Sequence, residues 1–191
     1  GGSLRWMRDA LCAEEKAEAE RQGKDPYVLM DAEAGEVPPG AHGVIFLPYL
    51  TGERTPYPDP DAKGVFFGLS LMTRKADMIR AVMEGVAFGM RDSFEIIKAM
   101  GVEFTQVRAS GGGAKSRPWL QIQADVTGEA HWLINVDEGP AFGVALLAGV
   151  GAGVWPSVPE ACDATIKPVV EIQPDAARHA LYDSYYAIYQ D

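Results

Sequence analysis

The stretch Ala109-Ser110-Gly111-Gly112-Gly113-Ala114-Lys115-Ser116 decides how this chain is read. Just before it, Val107 and Ala109 alternate with polar neighbours, the period of a short strand. Just after it, Trp119-Leu120-Gln121-Ile122-Gln123-Ala124-Asp125-Val126 carries a helical period. Three glycines therefore stand between the end of a strand and the start of a helix. A backbone without Cβ atoms can approach a flat or anionic ligand closely there, and the N–H groups of the helix end point at it. Ser116 suits the N-cap, with Arg117 next and Pro118 in the first turn, where a missing N–H costs little. Such a turn serves either as a nucleotide contact or as an ordinary glycine-rich bend. It is not a Walker A loop, since G-x-x-x-x-G-K-[ST] cannot be drawn through it, and it holds no G-x-G-x-x-G.

Working outward, Arg74 to Met100 gives the clearest helix. Ile79, Val82, Met83, Val86, Met90, Phe94 and Ile97 recur at three- and four-residue steps, and Gly101 ends it. Gly85 and Gly89, four apart on that helix, suit close packing against a neighbour. Val44-Ile45-Phe46-Leu47, closed by Pro48, reads as a buried strand. Tyr49 to Lys63 is a loop that places Glu53 and Arg54 beside a strand end, where sites are often built. Gly64 to Leu69 is a short extended piece. Beyond the glycines, His131 to Asn135 reads as a strand. Glu138 to Val150 reads as a helix so apolar on all sides that burial is expected.

Towards the N-terminus, Leu4, Met7, Arg8 and Leu11 share a helical face that continues as an Ala-rich charged run to Arg21, with Gly23 as its C′ residue. Tyr27 to Glu36 suits a small helix and Asp175 to Gln190 a terminal one. Strands alternating with helices mean an α/β layer structure. The strands near Val44–Leu47, Val107–Ser110 and His131–Asn135 are expected in one sheet, with the long helix packed on it.

The bulk properties narrow the function. The 191 residues suffice for one domain with a full core. A net charge of −10 opposes nonspecific nucleic-acid binding. No apolar run approaches the ~18 residues of a membrane span, and no secretory leader opens the chain. Cys12 and Cys162 lack metal-ligand spacing and suit a reducing compartment, which points to the cytoplasm. His42, His131 and His179 are scattered, so a metal site built from them is not expected. The first residue is not Met, and the chain is expected to begin inside a longer protein.

Several motifs together resemble the FGGY carbohydrate kinases, and within them the xylulokinases. Gly64-Val65-Phe66-Phe67-Gly68-Leu69, then Asp77-Met78, then Ala81-Val82-Met83-Glu84 follow the family's second signature. Tyr49-Leu50-Thr51-Gly52-Glu53-Arg54-Thr55-Pro56 looks like the xylulokinase form of the preceding loop. Ser110 to Ser116 looks like the adenosine motif, and Ala141-Phe142-Gly143-Val144-Ala145-Leu146-Leu147-Ala148 like the helix that closes it. The resemblance covers nearly the whole chain.

It implies an actin-like ATPase domain with a ribonuclease-H-like core, three-layered and missing its first strands. Residues 1–191 would be a fragment, the family's C-terminal domain without the N-terminal sugar-binding domain. The implied activity is transfer of the ATP γ-phosphoryl group to a sugar, with Mg²⁺, D-xylulose as acceptor, and a catalytic Asp upstream of this chain. Gly1, Arg5, Gly112 and Ser116 match nucleotide contacts of the family, with Gly111 and Gly113 in the same turn. Arg5 stands where glycerol kinases commonly have Gln, and Ser116 where Asn is frequent. The implied partners are ATP, a ketose sugar and the chain's own N-terminal domain, with a homodimer left open and neither nucleic acid nor membrane. Other acceptors (ribulose, fuculose or glycerol) and a non-catalytic actin-like module remain alternatives.

Overall fold

A computed structural model describes residues 1–136 and 139–191. The N-terminal quarter is helical: α1 (Gly2–Leu11), α2 (Ala13–Gln22) and α3 (Pro26–Gly35). The expected continuation of the first helix to Arg21 is interrupted. Cys12, at φ −112 and ψ 48, leaves helical geometry and turns α2 away. Its thiol is buried, and that burial pushes its pKa up to about 11, so it is an inert packing group. Gly23 closes α2 in the left-handed conformation, φ +63, as its sequence position implies.

The spine is α4 (Lys75–Ala99). The Asp77 carboxylate accepts the Arg74 N–H at 2.7 Å and so caps the helix start, and it also holds His42 Nδ1 at 3.0 Å. Gly101, φ +76, follows the helix end. Around the first half of α4 gather Met7 of α1, Met30 of α3, Ile122 and Val126 of α5 (Arg117–Thr127), and Tyr182, Tyr186 and Tyr189 of α8 (Ala176–Gln190), all buried in one core. The strand β1 (Ile45–Leu47) lies against the same helix. A Cβ added to Gly85 would stand 2.1 Å from the Phe46 carbonyl oxygen, so glycine alone permits this approach.

Within that core, Arg80 Nε donates to Glu84 Oε1 at 2.6 Å and Arg80 Nη2 to the Tyr182 hydroxyl at 2.8 Å. The Tyr182 hydroxyl donates to Glu84 Oε1 at 2.7 Å, and the Gly40 N–H reaches the same oxygen at 3.0 Å. Burial raises the Glu84 carboxyl above its ordinary range, against the pull of the Arg80 guanidinium. The two signature carboxylates, Asp77 and Glu84, thus serve the fold, one as a cap and one as a knot.

The expected single sheet is not what forms. β1 pairs antiparallel with β2 (Val65–Phe67), in the register Ile45–Phe67, Phe46–Phe66 and Leu47–Val65. A separate sheet has the order β3 (Val107–Ala109), β4 (His131–Ile134), β5 (Pro168–Ile172), with β3 and β4 parallel and β4 and β5 antiparallel. These strands are short. β1 spends its backbone groups on β2, β3 and β5 spend theirs on β4, and α4 takes the flank of β1. The outer edges of β1 and β3 carry no strand partner among the described residues. Leu120 and Ala124 of α5 cover one face of the second sheet, against Ala109, Leu133, Val170 and Ile172.

The apolar helix α6 (Gly139–Gly151) also departs from expectation; Glu138, where it was expected to start, lies outside the described residues. Only Leu146 of α6 is buried, while Val144 and Leu147 are 67% and 58% exposed. Its principal neighbour is α7 (Val158–Thr165), which covers one side and leaves the rest of the apolar surface bare. No helix among the described residues is long and apolar enough to cross a membrane.

The Gly85–Phe46 approach makes a specific demand. Gly85→Ala puts a Cβ into backbone rather than into a yielding side chain, so a loss of about 1–3 kcal/mol is expected. Denaturant melts of wild type and variant check this; an unchanged midpoint would mean that α4 and β1 can separate freely.

Candidate functional site

The strand β3 ends at Ala109, and the chain then turns through Ser110 and Gly111. Gly111 adopts φ +79 and ψ −171, a conformation essentially confined to glycine. Gly112–Lys115 follow as a single 3-10 turn, and Ser116 begins α5. The Ser116 hydroxyl accepts the Trp119 N–H at 3.1 Å, and Pro118 sits in the first turn, so the cap is built as its sequence implies.

The turn lies at the carboxyl end of β3, beside the carboxyl end of its parallel neighbour β4. In α/β sheets ligands bind outside those ends. The start of α6 lies against the turn: a Cβ on Gly139, the first residue of α6, would come 3.4 Å from Ser110 Oγ. After β4 the chain is pinned by Asn135, whose side chain donates to the Thr165 carbonyl at 3.0 Å and accepts the Lys167 N–H at 2.8 Å. Beneath, His131 is buried, with Nδ1 2.9 Å from the Glu129 carbonyl oxygen, and burial lowers its pKa.

The glycines of the turn differ in role. Gly111 supplies the backbone angle. Gly113 lies against the Trp119 indole, 3.3 Å from a notional Cβ. Gly112 is exposed, and a Cβ there would meet nothing within 4 Å. Its backbone is therefore bare without being strained, which is what a flat ligand face requires.

Gly111, Gly112, Gly113 and Ser116 thus come together in one turn. Gly1 and Arg5 stand on a different element: Gly1 is the N-cap of α1, the Arg5 N–H donates to the Gly1 carbonyl at 3.3 Å, and the Arg5 side chain is exposed. Both α3 and α4 touch α1 and α5, and so join the two places. In the loop after β1, Glu53 turns inward on its own backbone, accepting the N–H groups of Arg54 at 2.6 Å and Thr55 at 3.1 Å, while Arg54 is exposed.

One residue of the site carries no local signal in the sequence. Asp31 of α3, which packs on α5, comes near Ser116. Its Oδ1 is buried without a hydrogen-bond partner, and burial raises its pKa. The helical period placed Asp31 on a helix, but only the packing of α3 on α5 brings it to Ser116.

Residues 1–152 match the model for the FGGY family of carbohydrate kinases, C-terminal domain. A xylulose kinase of Staphylococcus epidermidis is 37% identical over 190 residues, covering 100% of this chain and 36% of that protein. An autoinducer-2 kinase of Salmonella typhimurium is 39% identical over 201 residues, covering 100% of this chain and 37% of that protein. The crystal structure of a xylulose kinase from Rhodospirillum rubrum superposes with a TM-score of 0.82 at 34% identity, covering 100% of this chain and 36% of that one. The chain thus spans little more than a third of the length of these relatives.

Removing the Ser116 hydroxyl unties the start of α5. Ser116→Ala is expected to cost about 1 kcal/mol of stability, the usual worth of a cap. A fall in the denaturation midpoint measures it, and an unshifted midpoint would show that the cap hydrogen bond contributes nothing.

Proposed function

Because the chain belongs to the FGGY family of carbohydrate kinases and has its actin-like α/β fold, we propose that it is the nucleotide-binding half of an ATP-dependent kinase for D-xylulose. In the full-length protein the product is D-xylulose 5-phosphate. The observation that carries the nucleotide role is the bare, unstrained backbone at Gly112, at the carboxyl end of a parallel strand and followed by a capped helix N-terminus. A purine face lies on that backbone, and Ser116 meets its edge. Gly1 and Arg5, at the N-terminus of α1, add further nucleotide contacts in this reading.

The acceptor is proposed from the relatives named xylulose kinase and from the loop Tyr49 to Pro56. The autoinducer-2 kinase, equally similar, supports the second reading, a kinase of the same family acting on another polyol-like acceptor.

The chemistry is in-line displacement. A sugar hydroxyl attacks the γ-phosphorus, a carboxylate accepts its proton, and the bond to the β-phosphate oxygen breaks to release ADP. The proton acceptor is proposed to be an Asp in the domain that binds the sugar. Among the described residues no three His, Cys, Asp or Glu side chains gather for a metal. Bound with the nucleotide, Mg²⁺ would offset the charge of the phosphates. The present chain holds the nucleoside end, and closure of the two domains excludes water and limits wasteful hydrolysis. The cytoplasm, where ATP is available, is the proposed location.

Two measurements test this. A coupled assay with ATP and Mg²⁺ across a panel of ketoses and polyols should show the full-length protein turning over D-xylulose best, and the isolated 191-residue chain giving no sugar-dependent ADP. Sugar-dependent turnover by the isolated chain, or none by the full-length protein, would overturn the assignment. Gly112→Val should leave the melt unchanged, since its Cβ has open space, but raise the KM for ATP by about tenfold or more, some 1.4 kcal/mol, with the sugar KM nearly constant. A stable variant with wild-type ATP affinity would make the turn a packing feature only.

A further inference from the structure

Beside the bare backbone of Gly112 stands a hydrogen-bond donor that the fold does not use. Trp119 is half-buried, and its side chain packs on the core around α4. Its indole N–H has no hydrogen-bond partner among the described residues, yet it is not sealed in the core and reaches solvent. It does so at the glycine turn: a notional Cβ on Gly113 would stand 3.3 Å from Trp119 Nε1 and 3.4 Å from Cδ1. An indole nitrogen donates and cannot accept. The side of the ring that Trp119 gives to the turn is therefore a donor edge.

That donor is held in place. The Trp119 backbone N–H is bonded to the Ser116 hydroxyl at 3.1 Å, which fixes the first turn of α5. Packing on the core holds the ring, so little side-chain freedom remains to be lost when a ligand arrives. Gly113 belongs to the same arrangement. A side chain there would press on the indole, whereas at Gly112, one residue earlier, the space is open. A purine seated on Gly112 carries unprotonated ring nitrogens along its edge, and these accept hydrogen bonds. A fixed donor beside the seat is what such an edge requires.

We propose that Trp119 is a nucleotide-binding residue whose indole N–H donates to a ring nitrogen of the purine, and that residue 113 is glycine so that the indole can stand there. This rests on the nucleotide reading of the turn and adds to it a side-chain contact to the base. The base then meets a backbone face at Gly112 and a fixed donor at Trp119. Trp119 takes no part in phosphoryl transfer; it holds the far end of the nucleotide.

The test is titration calorimetry of the full-length kinase, beside thermal melts, with ATP and with its 1-deaza, 3-deaza and 7-deaza analogues. Trp119→Phe keeps an aromatic ring and deletes the donor. It should weaken ATP about fivefold, the worth of one neutral hydrogen bond, while the sugar KM changes by less than about twofold. Towards the analogue that lacks the accepting nitrogen, wild type and variant should bind alike; towards the others the gap should persist. A role in packing alone, or a bond to ribose or phosphate, would leave the same gap on ATP and on every analogue, and that result overturns the assignment. Gly113 lies outside the left-handed region, so Gly113→Ala strains no backbone, but its Cβ presses on the indole. It should weaken ATP about twofold or more, spare the same analogue, and serve if the phenylalanine variant does not fold. Wild-type ATP affinity in either folded variant would overturn the proposal and leave the kinase reading intact. A wild type that binds no ATP would overturn both.

Discussion

The buried knot of Arg80, Glu84 and Tyr182 is the constraint on which the rest of this structure depends. It draws α8 onto α4 through Tyr182, the loop at Gly40 onto α4 through its N–H, and the end of α3 onto α4 through the Ala34 carbonyl, which accepts from Arg80 Nη1 at 3.3 Å. A buried ion pair is weak evidence of net stability, because desolvation opposes it. Its consequence here is geometric. Three donors converge on one carboxylate oxygen, and each comes from a different element or turn of the helix. Removing any one leaves polar groups in a dry core without partners. One residue further on, Gly85 lets the backbone of β1 touch the helix. The core is therefore registered at adjacent positions of α4, by hydrogen bonds at Glu84 and by close backbone packing at Gly85.

From that core the site follows by two routes. Along one, α4 packs on α5, which in turn covers the sheet of β3, β4 and β5. That fixes where β3 ends and where its glycine turn stands. Along the other, the Ala34 contact anchors α3, which carries Asp31 to Ser116. The bare glycine and the capped serine are thus presented by a rigid scaffold although they lie in a loop. The motif residues Asp77 and Glu84 belong to this scaffold. Their chemistry is that of caps and buried acceptors, and the family signature they carry is a record of packing.

The surface divides the same way. Around the first half of α4 the apolar residues are covered, yet its end leaves Ile96 and Ile97 exposed, α6 leaves Val144 and Leu147 bare, and the segment after β2 leaves Leu71 fully exposed. Exposed apolar surface of this extent is unusual for a monomeric domain on its own. It accords with a chain that spans about 36% of the length of its relatives.

The sequence by itself determined whatever is settled within a few residues. The cap at Ser116, the prolines and glycines that bound helices, the long period of α4 and the glycine-rich turn all follow from local backbone and side-chain chemistry. So did the family, because its motifs are runs of neighbours. Tertiary structure decided what depends on distant partners. Strand pairing joined β1 to β2 and parted them from β3 and β4, since a period of two states which face is apolar but not which edge is paired. The exposure of α6 was decided by what packs on it, not by its composition. The break at Cys12 has no glycine or proline to announce it. Asp31 comes near Ser116 only through the packing of α3 on α5, because proximity between residues distant in sequence leaves no mark on the sequence near either one.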